Sequence, residues 1–240
     1  MKRLREAGTD QVIFRLGELF SGPGGLALGA SQATVAHKGV IYRVVHQWAN
    51  DYHEDSCRSY RRNICPGNPD SVICGDVRKL DFKDLRPIDA LAFGFPCNDF
   101  SIVGEQKGFH GEFGPLYSYG VKILNLMHPL FFVAENVGGV LSANDGQAFK
   151  KILSDLGAAG DGYELSVNLY KAEQYGVAQT RHRMIIVGMQ RSLGLTYKVP
   201  APKTHTKPVT ARKKTGSGLA LPYFLRSAFS PQWFMFLYVR

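Results

Sequence analysis

Val12-Ile13-Phe14-Arg15-Leu16-Gly17-Glu18-Leu19-Phe20, running directly into Ser21-Gly22-Pro23-Gly24-Gly25-Leu26-Ala27, is the stretch from which the fold is read. The first nine residues form a short apolar strand. The glycines after them make a tight turn, and small residues from Leu26 to about Ala36 read as a helix. The turn fits G-x-G-x-x-G/A, in which glycine lets the backbone pass close to a ligand and the helix start offers unpaired N–H groups. A sharp strand-to-helix turn needs glycine in any case, so this segment alone leaves a nucleotide-like ligand and plain packing both open.

Outward from that turn the chain alternates. Val40–Val45 reads as a second strand, continuing to Asn50-Asp51, and Glu54–Asn63 as a polar helix. Ser71–Cys74 and Ile88–Phe93 are strands, Tyr117–His128 a helix, and Leu130–Ala134 a strand apolar on both faces. A helix over Gln147–Leu156 comes next, then Tyr163–Tyr170 and Arg183–Met189 as a hairpin-like edge. Two-sided apolar strands alternating with helices predict an α/β fold, a mostly parallel sheet with helices on both faces. No internal repeat is present.

Composition narrows the class. The 240 residues are 45% hydrophobic and 20% charged, a globular balance. Four cysteines, none in C-x-x-C, exclude a disulfide scaffold and a zinc ribbon, so no metal is expected. MKRLREAGTDQ lacks the apolar stretch of a secretory signal, and no run of about 18 apolar residues would span a membrane. A cytoplasmic, nucleoid-associated protein is the expectation. The net charge of +9 is unevenly placed: 18 basic and 20 acidic residues lie up to Glu173, and 11 basic with no acidic residue after it. Such a surface attracts nucleic acid, unless it is only a partly disordered basic tail.

Four sets of residues could carry chemistry. Asp51, at the end of the second strand, and Asp76, after the third, are placed for a ribose and an adenosine-like ligand; each could equally cap a turn. Gly94-Phe95-Pro96-Cys97-Asn98 comes after an apolar strand, which puts Cys97 at the carboxyl edge of the sheet as a nucleophile or as an inert buried thiol. The loop Val103–Pro115, with Gly104, Gly108, Gly111 and Gly114, reads as a lid. Glu135, with Asn136 and Val137, ends a fully apolar strand as a partly desolvated carboxyl suited to proton donation, or as a cap. Arg181 and Arg183, in Gln179-Thr180-Arg181-His182-Arg183, share strand parity and suit a phosphate or a carbonyl oxygen, or merely line a solvated edge.

In this order and spacing, over about residues 13–190, the four sets resemble the cytosine-C5 DNA methyltransferases. Phe20-Ser21-Gly22-Pro23-Gly24-Gly25 is similar to the family's cofactor motif, and Gly94-Phe95-Pro96-Cys97 to its nucleophile motif. Glu135-Asn136-Val137 is similar to its glutamate motif, and Gln179–Arg183 to its Gln-x-Arg-x-Arg motif. The resemblance implies a Rossmann-like fold that binds S-adenosylmethionine. Phe20, Gly22, Gly24 and Gly25 would surround the methionine part, Asp51 would meet the ribose, Tyr52 the adenine face and Asp76 the adenine amine. Leu26, Val77 and Pro96 would complete the pocket. It implies attack of Cys97 on C6 of a cytosine flipped out of double-stranded DNA, with Glu135 at N3 and Arg183 and Arg181 at O2 and nearby phosphate. The family usually has Gln where Asn98 stands, and Glu where Asp51 stands.

The family's target-recognition domain and its two last motifs are not found after Pro200. Residues 1–197 are therefore expected to be the catalytic domain. Residues 198–240 would be a basic linker (Lys198–Lys214) and an apolar tail (Leu219–Val239), truncated or bound to a second subunit that carries target recognition. A fragment or split subunit that binds cofactor or nucleic acid only, and an RNA cytosine-C5 methyltransferase, are the alternatives. A zinc deaminase fails on arrangement: His110-Gly111-Glu112 comes after Pro96-Cys97 instead of preceding it, and Phe100 stands where a second Cys belongs. A nicotinamide dehydrogenase explains the glycine turn but neither Pro96-Cys97 nor Glu135-Asn136.

Overall fold

The computed structural model describes residues 3–6, 9–96, 116–138 and 146–202, with side chains from residue 10 onward. Cys97, Asn98, the glycine-rich loop 103–115 and the tail 203–240 lie outside the described residues. The strands are β1 (Arg3–Glu6), β2 (Thr9–Leu19), β3 (Thr34–His37), β4 (Val40–Asp51), β5 (Val72–Cys74), β6 (Ala90–Gly94), β7 (Phe131–Val137), β8 (Tyr163–Lys171) and β9 (His182–Gln190). The helices are α1 (Gly25–Ser31), α2 (Glu54–Asn63), α3 (Tyr117–Met127) and α4 (Gln147–Ala158). No helix among the described residues is long and apolar enough to cross a membrane.

All nine strands form one sheet. Its centre is parallel, β5-β4-β2-β6-β7, and its margins are antiparallel: β1 on β2, β3 on β4, β9 on β7 and β8 on β9. The expected mostly parallel sheet is thus present in the centre, and the expected late hairpin-like edge is β8–β9.

Strand parity explains the two cores. On β6, Leu91 and Phe93 enter the core under α3 and α4, whereas Ala90 and Ala92 enter the core under α1 and α2. Helices therefore cover both faces, as two-sided apolar strands require. Phe93, Phe132 and Tyr163 form an aromatic run through the first core, with ring centroids 6.0 and 5.1 Å apart.

One irregularity re-aims a strand end. In the pairing of β2 with β4, Leu16 faces His46 and Gly17 faces Trp48, so Gln47 is an extra residue. Such a bulge flips the parity of the strand residues beyond it. Tyr42 and Val44 precede it and Ala49 lies beyond it on the α1/α2 face, while Trp48 turns to the other core. The Trp48 ring fills the space over Gly17, where a Cβ would lie 2.3 Å from it. Asp51, two residues past Ala49, inherits the corrected parity.

Two elements differ from the sequence expectation. The helix after the glycine turn ends at Ser31, not near Ala36, because Thr34–His37 pairs antiparallel with Val40–Arg43 through a Lys38-Gly39 turn in which both residues have positive φ. Strand β1 has no counterpart among the expected strands.

Candidate active site at the carboxyl edge of the sheet

The parallel register lines up one row of strand ends. Leu19 pairs with Asn50 on one side and Phe93 on the other, Asp51 with Cys74, and Gly94 with Glu135. Gly75-Asp76, Asp51-Tyr52, Phe20–Gly22, Gly94–Pro96 and Glu135-Asn136 therefore emerge side by side at the edge where open α/β sheets bind ligands. Because β9 is antiparallel to β7, its start falls at the same edge, with Arg183 opposite Val137.

The glycine turn is held by its neighbours. Phe20 is left-handed at φ 53°, as are Gly22 at 53° and Gly24 at 95°. Asp51 Oδ2 accepts the Gly22 N–H at 2.8 Å, and Oδ1 accepts the His53 N–H at 2.9 Å. The Ser21 N–H donates to the Asn50 carbonyl at 3.1 Å. Gly24 is required by packing: a Cβ there would stand 2.6 Å from Ile64 and 2.9 Å from Tyr60, just after and within α2. At Gly22 and Gly75 a Cβ would meet none of the described residues within 4 Å, so the space above both is open among them. Tyr52 stands beside it, 78% exposed. Open backbone, a carboxylate and a bare aromatic face suit an adenosine-bearing ligand, so these residues fit S-adenosylmethionine.

The remaining residues of the expected pocket take varied positions. Asp76 caps the one-turn helix Val77–Lys79, accepting the Arg78 N–H at 2.9 Å and pairing with its guanidinium at 2.7 Å, which holds its carboxyl below the usual range. Val77 is buried in the α3/α4 core, so its side chain packs the interior. Leu26 packs against the α1/α2 core, and Pro96 is partly buried at the last described position before Cys97.

At the other half of the row, Arg183 Nε lies 2.7 Å from Glu135 Oε1, with both side chains one quarter exposed. Sequence parity places Arg181 and Arg183 together, but the two part company. Arg183 meets Glu135, whereas Arg181 is exposed just before β9. His182, of opposite parity, pairs with Glu173 at 2.8 Å. Glu135 Oε2 would lie 3.4 Å from a Cβ on Gly94, and the Phe20 carbonyl 4.0 Å from it. The glycine turn, the strand leading to Cys97 and the glutamate therefore converge at Gly94.

Several residues that hold this row are given no role of their own by the sequence, although Asn136 and Asn50 fall in segments that carry its candidate residues. Asn136, 2% exposed, donates to the Phe95 carbonyl at 3.2 Å and so fixes the backbone two residues before Cys97. Asn50, also buried, donates to the carbonyls of Ile73 and Gly75 at 3.0 Å and ties β4 to β5. Glu18 is 1% exposed under the glycine turn, and burial pushes its carboxyl up to about 8. The available signal was a polar residue inside an otherwise apolar strand.

Comparison with known proteins bears on the whole row. A model of the C-5 cytosine-specific DNA methylases matches residues 14–222. The chain belongs to that family. It is similar to the type II methyltransferase M.BbvI of Brevibacillus brevis, at 58% identity over 82% of this chain and 55% of that one. M.NgoFVII of Neisseria gonorrhoeae is 37% identical over 79% of this chain and 47% of that one. The chain thus spans about half the length of the curated relatives it matches. Among solved structures, a protein assigned as a DNA modification methyltransferase of an E. coli prophage superposes with TM-score 0.62 and 29% identity, over 84% of this chain and 54% of that one. The superposition and the parallel centre of the sheet bear out the expected Rossmann-like methyltransferase fold, and the family's chemistry requires a methyl donor.

Proposed function

We propose that this chain transfers a methyl group from S-adenosylmethionine to C5 of cytosine in DNA. The observation that carries the reading is the convergence at Gly94 of the cofactor turn, the Cys97 strand end and the Glu135–Arg183 pair. S-adenosylmethionine, when bound, supplies an electrophilic methyl on a sulfonium.

The chain's residues supply the rest. Cytosine C5 is a weak nucleophile, so the Cys97 thiolate adds to C6 and converts the ring into an enamine-like nucleophile. Glu135 hydrogen-bonds or protonates N3, which prevents negative charge from building up on the ring. Arg183 holds the Glu135 carboxyl and reaches the O2 side, and Arg181 serves a nearby phosphate. Once C5 carries the methyl, loss of its proton re-forms the double bond and expels Cys97 as thiolate. C6 is shielded in a duplex, so the base is flipped into the site. Asp51 takes the ribose hydroxyls and Tyr52 the adenine face.

Calorimetry tests the cofactor half. S-adenosylhomocysteine should bind, and NAD should not. Asp51→Ala should weaken binding by about 1–3 kcal/mol, the loss of charge-assisted hydrogen bonds. Unchanged affinity in that variant would place the ribose elsewhere.

A further inference from the structure

Beneath the glycine turn lies a chain of side chains with a fixed hydrogen-bond order. Glu18 Oε2 and the Tyr60 hydroxyl are 2.9 Å apart, Tyr60 and His46 Nδ1 3.1 Å, and His46 Nε2 and Ser71 Oγ 2.7 Å. Ser71 Oγ lies 2.6 Å from the Asn68 carbonyl. That carbonyl only accepts, so the single Ser71 proton is spent on it. Ser71 must then accept from His46 Nε2–H. A neutral His46 has a bare Nδ1, which takes the Tyr60 proton. Toward an ionised Glu18 the Tyr60 hydroxyl would have to donate at that contact, but its single proton is taken by His46, so the only proton left for the Tyr60–Glu18 contact is one on Glu18 itself. Proton counting along the chain thus ends on an uncharged carboxylic acid.

Burial is consistent with this at both ends: it pushes Glu18 up to about 8 and His46 down to about 4. Glu18 Oε1 has no hydrogen-bond partner among the described residues, a costly arrangement for a carboxylate and a tolerable one for the carbonyl oxygen of an acid. The titratable groups acting on this end of the chain are Tyr60 and Cys65 from α2 and the residues after it, and His46 and Asp51 from β4. Among the described residues of α1 the Ala27 backbone acts on it, favouring the carboxylate as a hydrogen bond from Tyr60 does, and burial outweighs both.

We propose that Glu18 is a positioning residue which, as an uncharged acid at the inner end of the Glu18–Tyr60–His46–Ser71 chain, braces the glycine turn for the cofactor and releases it on ionisation. This rests on the reading of the turn as the S-adenosylmethionine site. Two contacts transmit the effect. Tyr60 packs where a Gly24 Cβ would be, and an ionised Glu18 would add a second negative charge near Asp51, which holds the Gly22 N–H. The native carboxyl is raised above its ordinary 4.5, so the stability it contributes is complete below that value and is lost as pH rises through about 8.

The test is calorimetry of S-adenosylhomocysteine across pH with the full chain. Affinity should fall above about pH 8, approaching tenfold per pH unit, the slope of one proton taken up with the ligand. Glu18→Gln, which keeps a donor toward Tyr60 without a charge, should still bind at alkaline pH and show no such fall. The same alkaline fall in Glu18→Gln would overturn the proposal while leaving the cofactor site intact. No binding at any pH would overturn the cofactor reading as well. The carboxyl carbon signal of Glu18 in the wild-type chain decides independently, should the variant not fold. A titration midpoint near 8, with His46 protonated only on Nε2, supports the proposal; a midpoint near 4.5, or a His46 protonated on both nitrogens at neutral pH, refutes it.

Discussion

Cys97→Ala should abolish covalent capture on duplex DNA carrying 5-fluorocytosine at the target position. Fluorine cannot leave C5 as the proton does, so the thiol adduct of the unsubstituted chain should persist and be isolable. The assignment gains weight from the other three thiols. Cys57 and Cys65 are buried, and burial pushes both thiols up. Cys74 is pushed up to about 12, first by its hydrogen bond with Glu54 and then by burial and Cys57. A thiol held protonated is a poor nucleophile, so Cys57, Cys65 and Cys74 should each be replaceable by Ser with capture retained. An adduct of equal yield in Cys97→Ala, from a preparation competent in methyl transfer, would move the nucleophile to another residue.

Glu135→Gln should lower single-turnover methyl transfer by about 10²–10⁴-fold, the range of a positioned general acid. Affinity for S-adenosylhomocysteine should change little, because Glu135 stands across Gly94 from the glycine turn and not within it. That split between rate and binding separates a catalytic role from a structural one. The 2.7 Å pair with Arg183 adds a second check. Groups that act as a pair are non-additive, so Arg183→Ala should cost much less in the Glu135→Gln background than in the wild type. Full additivity would mean that the pair does not act as a unit.

The frame of the site was legible because each of its parts is local. Helix α2 falls at Glu54–Asn63 as its sequence implies: acids fill its first turn, arginines its last, and Cys57 and Tyr60 mark one buried face. The row of strand ends comes from strands that end at Leu19, Asp51, Cys74, Gly94 and Val137. What was hidden depends on distant partners. The bulge at Gln47, which sets the side on which Asp51 emerges, is visible only in the pairing of β2 with β4. Strand β3 is a four-residue edge strand joined through Lys38-Gly39, and its small residues read equally well as the end of a helix. Arg181 and Arg183 share parity, yet only Arg183 lies in β9 where β7 can present Glu135 to it. Glu18 sits in an apolar strand with nothing nearby to reveal Tyr60, 42 residues away, or His46 beyond it.

The central claim is tested most directly by the position of the transferred methyl. The chain, alone and together with candidate neighbouring gene products, is incubated with methyl-labelled S-adenosylmethionine and duplex DNA, and the DNA is then digested to nucleosides. The account predicts label in 5-methyldeoxycytidine. Label on the exocyclic nitrogen of cytosine or adenine, label only when RNA replaces DNA, or no label in any of the mixtures would contradict it.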